Sequence, residues 1–443
     1  MTDKNFDLPQ KLGDGLLLRW ATPADADELA AFNVRIHSND ADNPETFLAY
    51  WTQDLMNGEH PTTRADDFTV VVDMNNGRKI ISSLNLISQR WTYDGIEFGV
   101  GRPELVGTDP AYRRRGLVRA QMDAVHAKSA ARGELVQAIT GIPWYYRQFG
   151  YEMTVDLGGG RDFFWNRPGN DQTVDEEPYQ LRLATAADIP TLMQLYPIHC
   201  ADSLLVRVRD EALWAYEMTG THRDSPYARR VYLVETSTGD AVGYVEYRQW
   251  GDSFNVHEFG VRPGHPWRPV ALFLTRLLRA KAADLNQERE KPITRIFFNL
   301  GAAHPLYQAL GRQLEALRPP YAWYLRVPDV PGFIRHVTPV LQQRLAQSIM
   351  VGYTGTLKLN FYTWRMTLVW EDGELREIGS YTPNRLEEGD AVFPNLTFLQ
   401  LLFGYRSVDE LRHAFVDCHL KDEADVLLRI LFPKRPSAII PLG

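Results

Sequence analysis

Apolar and polar positions divide the chain into three stretches. From Leu17, "LLRWATPADADEL" reads as a strand, then Thr22-x-x-Asp25, then helical spacing; from Gln180, "QLRLATAADIPTL" repeats the plan. Arg19, Ala21, Thr22, Ala24, Asp25 and Leu29 match Arg182, Ala184, Thr185, Ala187, Asp188 and Leu192. A Thr-x-x-Asp step caps a helix, so each segment predicts a strand feeding a capped helix. Downstream, "EFGVRPGHPW" at 258 echoes "ELVGTDPAYR" at 104, and "HPLYQALG" at 304 echoes "WYYRQFGY" at 144. The pattern predicts a duplicated α/β unit. Strand–cap–helix openings are also common in unrelated α/β proteins.

The first unit runs to 165. Residues 166–179, "NRPGNDQTVDEEPY", are rich in Pro, Gly and acid and read as a linker. The second unit spans 180–325, with its border inside "RPPYAWYLRVPDVPGF". In the third stretch, 326–443, "TGTLKLNFYTWRMTLVWEDGELREIG" alternates apolar and polar residues and turns at Asp372-Gly373, which predicts an antiparallel meander. Short helices follow: one ending at Gly404, one opened by a capping box from Ser407 to Glu410, and one stopped by Pro433.

Charge and composition narrow the function classes. The 443 residues carry a net charge of −8. General nucleic-acid binding needs a basic footprint, which is missing; an acidic surface favours cationic partners. Cys200 and Cys418 are isolated, so no disulfide framework or CxxC site is expected. The start, "MTDKNFDLPQKL", has no apolar h-region, and no stretch of about 18 apolar residues occurs. These features predict a cytoplasmic protein that makes no membrane contact.

The chemistry concentrates at "ELVGTDPAYRRRGLVRAQMDAV". Leu105–Thr108 reads as a strand, Asp109-Pro110 breaks it, and Leu117 opens a helix with Val118, Met122 and Val125 on one face; Gly133 ends it. The run of arginines therefore sits where backbone N–H groups point outward unpaired and the helix dipole is positive. Such a loop suits a phosphate or pyrophosphate, with Gly116 allowing close approach. A solvated basic helix start is the bland alternative. Neither GxxxxGK[ST] nor GxGxxG is present, so a P-loop nucleotidase or a dinucleotide fold is not indicated.

The motif resembles the acetyl-CoA loop of GNAT N-acetyltransferases, Q/R-x-x-G-x-G/A after a strand. Arg113 and Gly116 match its first and fourth positions. Val118 stands where Gly or Ala is usual, and the Arg-Arg-Arg-Gly-Leu form is similar to that of Eis-type (enhanced intracellular survival) acetyltransferases. "WYYRQFGYE" resembles the second GNAT signature. The resemblance implies tandem GNAT folds, each a central mixed sheet flanked by helices, plus a sterol-carrier-protein-like α+β domain. It implies an active first unit and a degenerate second one. Val106, Gly107 and Thr108 would bond the pantetheine arm. Arg113, Arg114, Arg115, Gly116, Leu117, Val118 and Arg119 would wrap the pyrophosphate, and Gly141 and Ile142 would begin the splayed next strand. Tyr146 would assist the leaving thiolate, with Tyr145 its competitor and Tyr151 packing. Acetyl-CoA would be the co-substrate, with no metal. The acceptor would be a small polyamine-like or aminoglycoside-like amine, and the assembly a homo-oligomer, up to a hexamer.

Acetyl transfer to an amine needs a base, because an alkylammonium has a pKa of about 10.4. In the resembling enzymes the terminal carboxylate serves, which here is Gly443; Glu104 is the local alternative. His126 reads as a surface or satisfied histidine. The second unit lacks an RxxG loop, and Pro266 and Pro269 remove amides a phosphate would need. Phe32, Trp91, Phe98 and Trp144, with Asp40, Asp42 and Glu97, are candidates for an amine-binding cleft. Two other function classes remain open: an apolar-ligand carrier built on Phe361, Tyr362, Trp364 and Trp370, and a regulatory protein that binds the cofactor without turnover.

Overall fold

Both strand–cap–helix openings form, and the same ion pair locks each. In the first, the Arg19 guanidinium donates to both Asp25 oxygens at 2.8 and 2.6 Å, and the Thr22 N–H and hydroxyl donate to Asp25 at 2.7 and 2.9 Å. In the second, Arg182 donates to Asp188 at 2.9 and 2.9 Å, and the Thr185 N–H and hydroxyl donate to Asp188 at 2.8 and 2.9 Å. Burial pushes the Asp25 carboxyl up, but the Arg19 and Thr22 bonds outweigh it and hold it below the usual range. The residues matched by sequence therefore do identical work twice.

The computed structural model describes residues 8–40, 42–167, 174, 176–225 and 227–439. The first unit contains β1 (Gln10–Gly13), β2 (Leu16–Trp20), β3 (Phe68–Asp73), β4 (Lys79–Tyr93), β5 (Ile96–Thr108), β6 (Val136–Ile139) and β7 (Glu152–Leu157). Its helices are α1 (Ala26–His37), α2 (Phe47–Met56) and α3 (Leu117–Ala131). The next unit contains β8 (Arg161–Phe164), β9 (Tyr179–Leu183), β10 (Leu205–Arg207), β11 (Val231–Thr236), β12 (Ala241–Trp250), β13 (Ser253–Val261), β14 (Arg295–Phe298) and β15 (Tyr321–Arg326). Its helices include α4 (Ile189–His199), α5 (Glu211–Ala215), α6 (Trp267–Leu285) and α7 (Pro305–Leu310).

The first sheet runs β1-β2-β3-β4-β5-β6-β15-β7 and the second β8-β14-β13-β12-β11-β9. The order β2-β3-β4-β5-β6 thus recurs as β9-β11-β12-β13-β14. Helices cover both faces of the first sheet. Leu29, Phe32 and Trp51 of α1 and α2 pack with Val70 and Ile87, while Met122 and Val125 of α3 pack with Leu84 and Leu86.

Sheet membership does not follow the expected borders at 165 and 325. β8 is an edge of the second sheet, and β15 inserts between β6 and β7 of the first. Gly158-Gly159-Gly160 makes the crossing: the first two have φ of +63° and +83°, and a Cβ on Gly160 would collide with the Phe298 carbonyl. The two units are therefore stitched together by exchanged strands.

The third stretch folds as an α+β unit. Its sheet runs β18-β17-β16-β19-β20, from β16 (Gly355–Asn360), β17 (Arg365–Glu371), β18 (Glu374–Gly379), β19 (Ala391–Val392) and β20 (His419–Leu420). The Asp372-Gly373 turn takes φ of +50° and +77°, and the Ser407–Glu410 capping box forms. Its core is continuous with the first sheet: Trp370, Leu402 and Phe403 share one cluster with Trp91, Phe98 and Trp323. Trp91 and Phe98 are thus core residues and line no amine cleft. Period-2 patterning gives an aromatic's face but not what covers that face. A last strand, β21 (Ser437–Ala438), pairs with β10, which pairs with Trp91–Tyr93 of β4. No helix among the described residues is long and apolar enough to cross a membrane.

Between the first and second sheets lies a buried charge network. Glu258 accepts from Arg209 at 3.1 and 3.0 Å, from Arg229, and from the Tyr244 hydroxyl at 3.0 Å. Arg209 also pairs with Glu217 and lies 3.2 Å from the Trp214 ring centroid. Glu258→Ala leaves two buried guanidiniums short of a carboxylate. It is expected to cost about 3–5 kcal/mol, read as a lower midpoint of unfolding in urea.

Candidate active site

The site starts from an irregularity in β5. Ser83 of β4 pairs with Gly107 and Asn85 pairs with Glu104, so the β5 strand carries an extra residue there, and Leu105 takes φ of +50°. This is a β-bulge, which bends a strand and increases its twist. On the other side β5 pairs with β6 only at Val100 and Gly101. Beyond Gly101 the two strands part. The β6-facing edge of residues 102–108 is left without a strand partner, and a wedge opens.

A cavity of about 580 Å³ occupies the wedge mouth and the start of α3. It is lined by Val106, Gly107, Thr108, Arg113, Arg114, Arg115, Gly116, Leu117, Val118, Arg119 and Ile142, which are the expected cofactor residues apart from Gly141. Gly141 has φ of +114°, and the Tyr146 ring stands 3.9 Å from where its Cβ would be. Arg114 and Gly116 have φ of +65° and +77°. Left-handed residues set into a helix start turn successive N–H groups toward one point and form a concavity for anions. Arg113 donates to the Thr108 carbonyl at 3.3 Å, and Arg114 has no hydrogen bond or ion pair among the described residues. The two guanidiniums thus face the cavity without a carboxylate. Arg115 differs: it pairs with Asp14 at 2.8 Å. Arg119 donates to Gln148 at 3.0 Å and lies 5.0 Å from the Phe149 ring, joining α3 to the segment that carries the tyrosines.

Tyr145 lines the cavity, whereas Tyr146 is 4% exposed and packs edge-on against Tyr145, Tyr151 and Tyr324. The Tyr146 hydroxyl makes no hydrogen bond among the described residues, and it is not among the polar atoms sealed from solvent without a partner. Burial first, then the Glu104 charge, pushes the Tyr146 phenol well above its ordinary pKa, so it stays protonated. Tyr151 is fully buried and bonds His126 Nε2 at 2.7 Å. His126 is therefore a satisfied histidine, held neutral by burial with a pKa of about 3.

Glu104 pairs with Arg102, which is fully buried and lies 4.8 Å from the Trp323 ring centroid. Burial raises the Glu104 carboxyl, and Arg102 opposes the shift. The Glu104 charge also raises Tyr227. Tyr227 belongs to the second unit and packs on Trp51 of α2 at 4.3 Å. Glu104 is thus felt both by the wedge tyrosine and by the neighbouring unit. Of the remaining amine-cleft candidates, Phe32 is buried on the inner face of α1 and Glu97 pairs with Arg90 at the surface. Trp144 is 73% exposed beneath Arg147, 4.1 Å from its ring centroid. Gly443 lies outside the described residues.

Sequence reasoning missed Ile36, His37, Tyr112, Gln148 and Phe149 on the cavity wall. The end of α1 arrives there because Gly107 has no side chain. A Cβ on Gly107 would lie 2.8 Å from Ile36 Cγ2 and 3.3 Å from His37 Nε2. Nothing in the local pattern marks a helix end as a neighbour of a strand 70 positions later.

The second unit repeats the wedge and fills it. β13 and β14 pair at 253–256 and then part, but only about 60 Å³ remains, lined by His199, His257, His304, Ser437 and Ala438 among others. His304 Nε2 lies 3.1 Å from the Phe259 carbonyl oxygen. Tyr307, the counterpart of Tyr146, donates to the Phe298 or Gly301 carbonyl at 3.0 or 2.9 Å. Arg268 is taken up by the Ala309 carbonyl and Gln313.

Gly107→Val should push the end of α1 off β5. The expected outcome is a loss of about 1–3 kcal/mol in stability and at least tenfold weaker coenzyme A binding, read by urea unfolding and calorimetric titration.

Comparisons with known proteins agree with this geometry. Residues 34–154 match the acetyltransferase (GNAT) domain family, a segment that holds the bulge, the arginine loop and the tyrosines. No curated protein matches by sequence. The fold matches solved structures over nearly its whole length. A GCN5-related N-acetyltransferase from Anabaena variabilis has 13% identity and a TM-score of 0.65, covering 96% of this chain and 99% of that one. One from Kribbella flavida has 17% identity and a TM-score of 0.65, covering 97% and 98%. Eis1 from Mycobacterium abscessus has 14% identity and a TM-score of 0.60, covering 96% and 99%. At such identities the likeness is one of fold. Residues 34–154 are thus similar to the acetyltransferase (GNAT) domain, within a fold like that of solved GCN5-related N-acetyltransferases.

Proposed function

We propose that the first unit transfers an acetyl group from acetyl-CoA to the primary amine of a small cationic acceptor, by direct attack while both are bound. The observation that carries this reading is the pair Arg113 and Arg114, without carboxylate partners, over a helix start with left-handed turns, beside a strand edge left open by the bulge. The arginines and the α3 amides would hold the pyrophosphate. The free edge of Val106–Thr108 would bond the pantetheine amides as an added strand does.

The acceptor amine attacks the thioester carbon, the C–N bond forms, and the C–S bond breaks. Tyr146 faces the leaving sulfur in this scheme. A thiol has a pKa of about 8.5 and an ordinary tyrosine about 10. Burial widens that gap, so Tyr146 stabilises the developing thiolate as a hydrogen-bond donor rather than by outright ionisation. The attacking amine must shed its proton, and two carboxylates compete for it: Glu104 beside Tyr146, and the terminus at Gly443. The net charge of −8 favours cationic acceptors over anionic ones.

The apolar-ligand alternative finds less support. Phe361 and Trp370 are each 1% exposed in the packed core shared with the first sheet.

Free thiol released from acetyl-CoA against a panel of amines tests the reading. Tyr146→Phe should lower turnover by about 10²–10⁴-fold with cofactor affinity unchanged. Arg113→Glu combined with Arg114→Glu should instead abolish cofactor binding in calorimetry. If Glu104 is the base, wild-type activity falls as pH drops through its raised pKa, because protonation removes the base. Glu104→Gln then removes that limb. Loss of turnover in a folded chain lacking Leu442 and Gly443, with Glu104→Gln active, assigns the base to the terminus.

A further inference from the structure

A second cavity, of about 810 Å³, opens on the far end of the second sheet, beside Phe47 of α2. It plays no part in the chemistry above. Its size falls within the range of small-molecule sites, about 300–1,000 Å³.

The wall is aromatic and cationic together. Tyr232 and Tyr247 stack at 4.9 Å with an interplanar angle of 17°, and Phe254 meets Tyr247 edge-on at 5.7 Å. Trp250 stands at the lip, 72% exposed. Lys281 Nζ donates to the Tyr247 hydroxyl at 3.1 Å and has no carboxylate partner among the described residues. Arg230 lines the same cavity; burial raises the Tyr232 and Tyr247 phenols, and the Arg230 charge opposes that rise in both. It makes no ion pair or hydrogen bond among the described residues. Other charges at the cavity are already spent: Arg248 is held by Glu246 and the Ala228 carbonyl, His257 by Glu246, and Arg223 lies 3.5 Å from Asp224.

In a chain of net charge −8, two uncompensated cations beside a stacked aromatic wall form a local inversion of charge. A neutral apolar ligand would use the rings and leave the cations unanswered. A bare inorganic anion would do the reverse. We propose that this groove is a second ligand site, for a small anion that carries a flat ring: the ring packs on the Tyr232–Tyr247 wall and the anionic group takes Arg230 and Lys281. The site is distinct from the acetyl-CoA cleft and does not rest on the reading of that cleft.

The test is calorimetric titration of the full chain with 1-naphthyl phosphate, 1-naphthol and inorganic phosphate, with coenzyme A present at saturation. Trp250 fluorescence provides a second readout. One molecule of naphthyl phosphate per chain should bind, at least tenfold tighter than naphthol or phosphate, and more weakly as salt rises. Arg230→Gln combined with Lys281→Gln, both at exposed positions, should weaken it at least tenfold without changing coenzyme A affinity. Equal binding by that variant overturns the proposal, as does equal binding of naphthol. Binding that coenzyme A displaces places the probe in the first cleft and also overturns it. No binding, with sedimentation showing that the double variant alters self-association, makes the groove a contact between copies and overturns it as well. A wild-type chain that binds naphthyl phosphate but not coenzyme A would sink the acetyltransferase reading and leave this one standing.

Discussion

The parting of β5 from β6 after Gly101 is the constraint on which the rest of the site depends. A parallel pair that stayed in register to Thr108 would satisfy the edge amides within the sheet and leave no wedge. The extra residue at the bulge, with Leu105 at φ of +50°, bends β5 away and keeps those amides for a ligand. Each neighbouring feature serves that opening. Gly107 lets the end of α1 close one side, α3 presents its amides at the mouth, and the Arg119–Gln148 bond ties α3 to the tyrosine segment. The strain at Leu105 is held by a core of Phe32, Trp51 and Ile87.

Much of this was legible in the sequence because it is local. The Arg19–Thr22–Asp25 set and its copy at Arg182, Thr185 and Asp188 act within six residues, and both form as the pattern predicts. The strand, arginine loop and helix at 104–131 are contiguous, so their order alone brings the residues expected to bind a cofactor to one cavity. What the pattern could not carry was long-range. β15 joins the first sheet beside β6, some 180 residues earlier in the chain, and β8 leaves it. Trp91 and Phe98 looked like cleft aromatics because alternation marks a face but cannot show that the third unit covers it. The bulge left no trace in composition: Leu105 is an ordinary strand residue until its partner register is known.

The exchanged strands bear on function as well as topology. They join the first two units, and a buried chain of ion pairs from Arg207 of β10 through Glu217 and Arg209 to Glu258 of β13 also links the two sheets. Tyr227 thereby reaches the neighbourhood of Glu104 from a different unit. Glu104, felt by Tyr146 on one side and by Tyr227 of the second unit on the other, makes that flank of the wedge a shared product of both halves.

The two wedges show how one repeated strand order can hold an open cavity in one unit and a nearly filled one in the other. Both arise from the same strand order and both open where the parallel pair ends. In the first, the β6-facing edge of β5 beyond Gly101 has no strand partner, and Arg113 and Arg114 lack carboxylate partners among the described residues. In the second, Tyr307 and His304 turn to backbone carbonyls, Arg268 is engaged, and the C-terminal strand lines what remains. Pro266 and Pro269 remove two donors at the start of α6. The Tyr307, His304 and Arg268 groups are satisfied within the chain and the prolines withhold amide donors, so the second wedge is filled by its own residues. On the acetyltransferase reading, the unpartnered strand edge and arginines of the first wedge, rather than the fold itself, set it apart from the second.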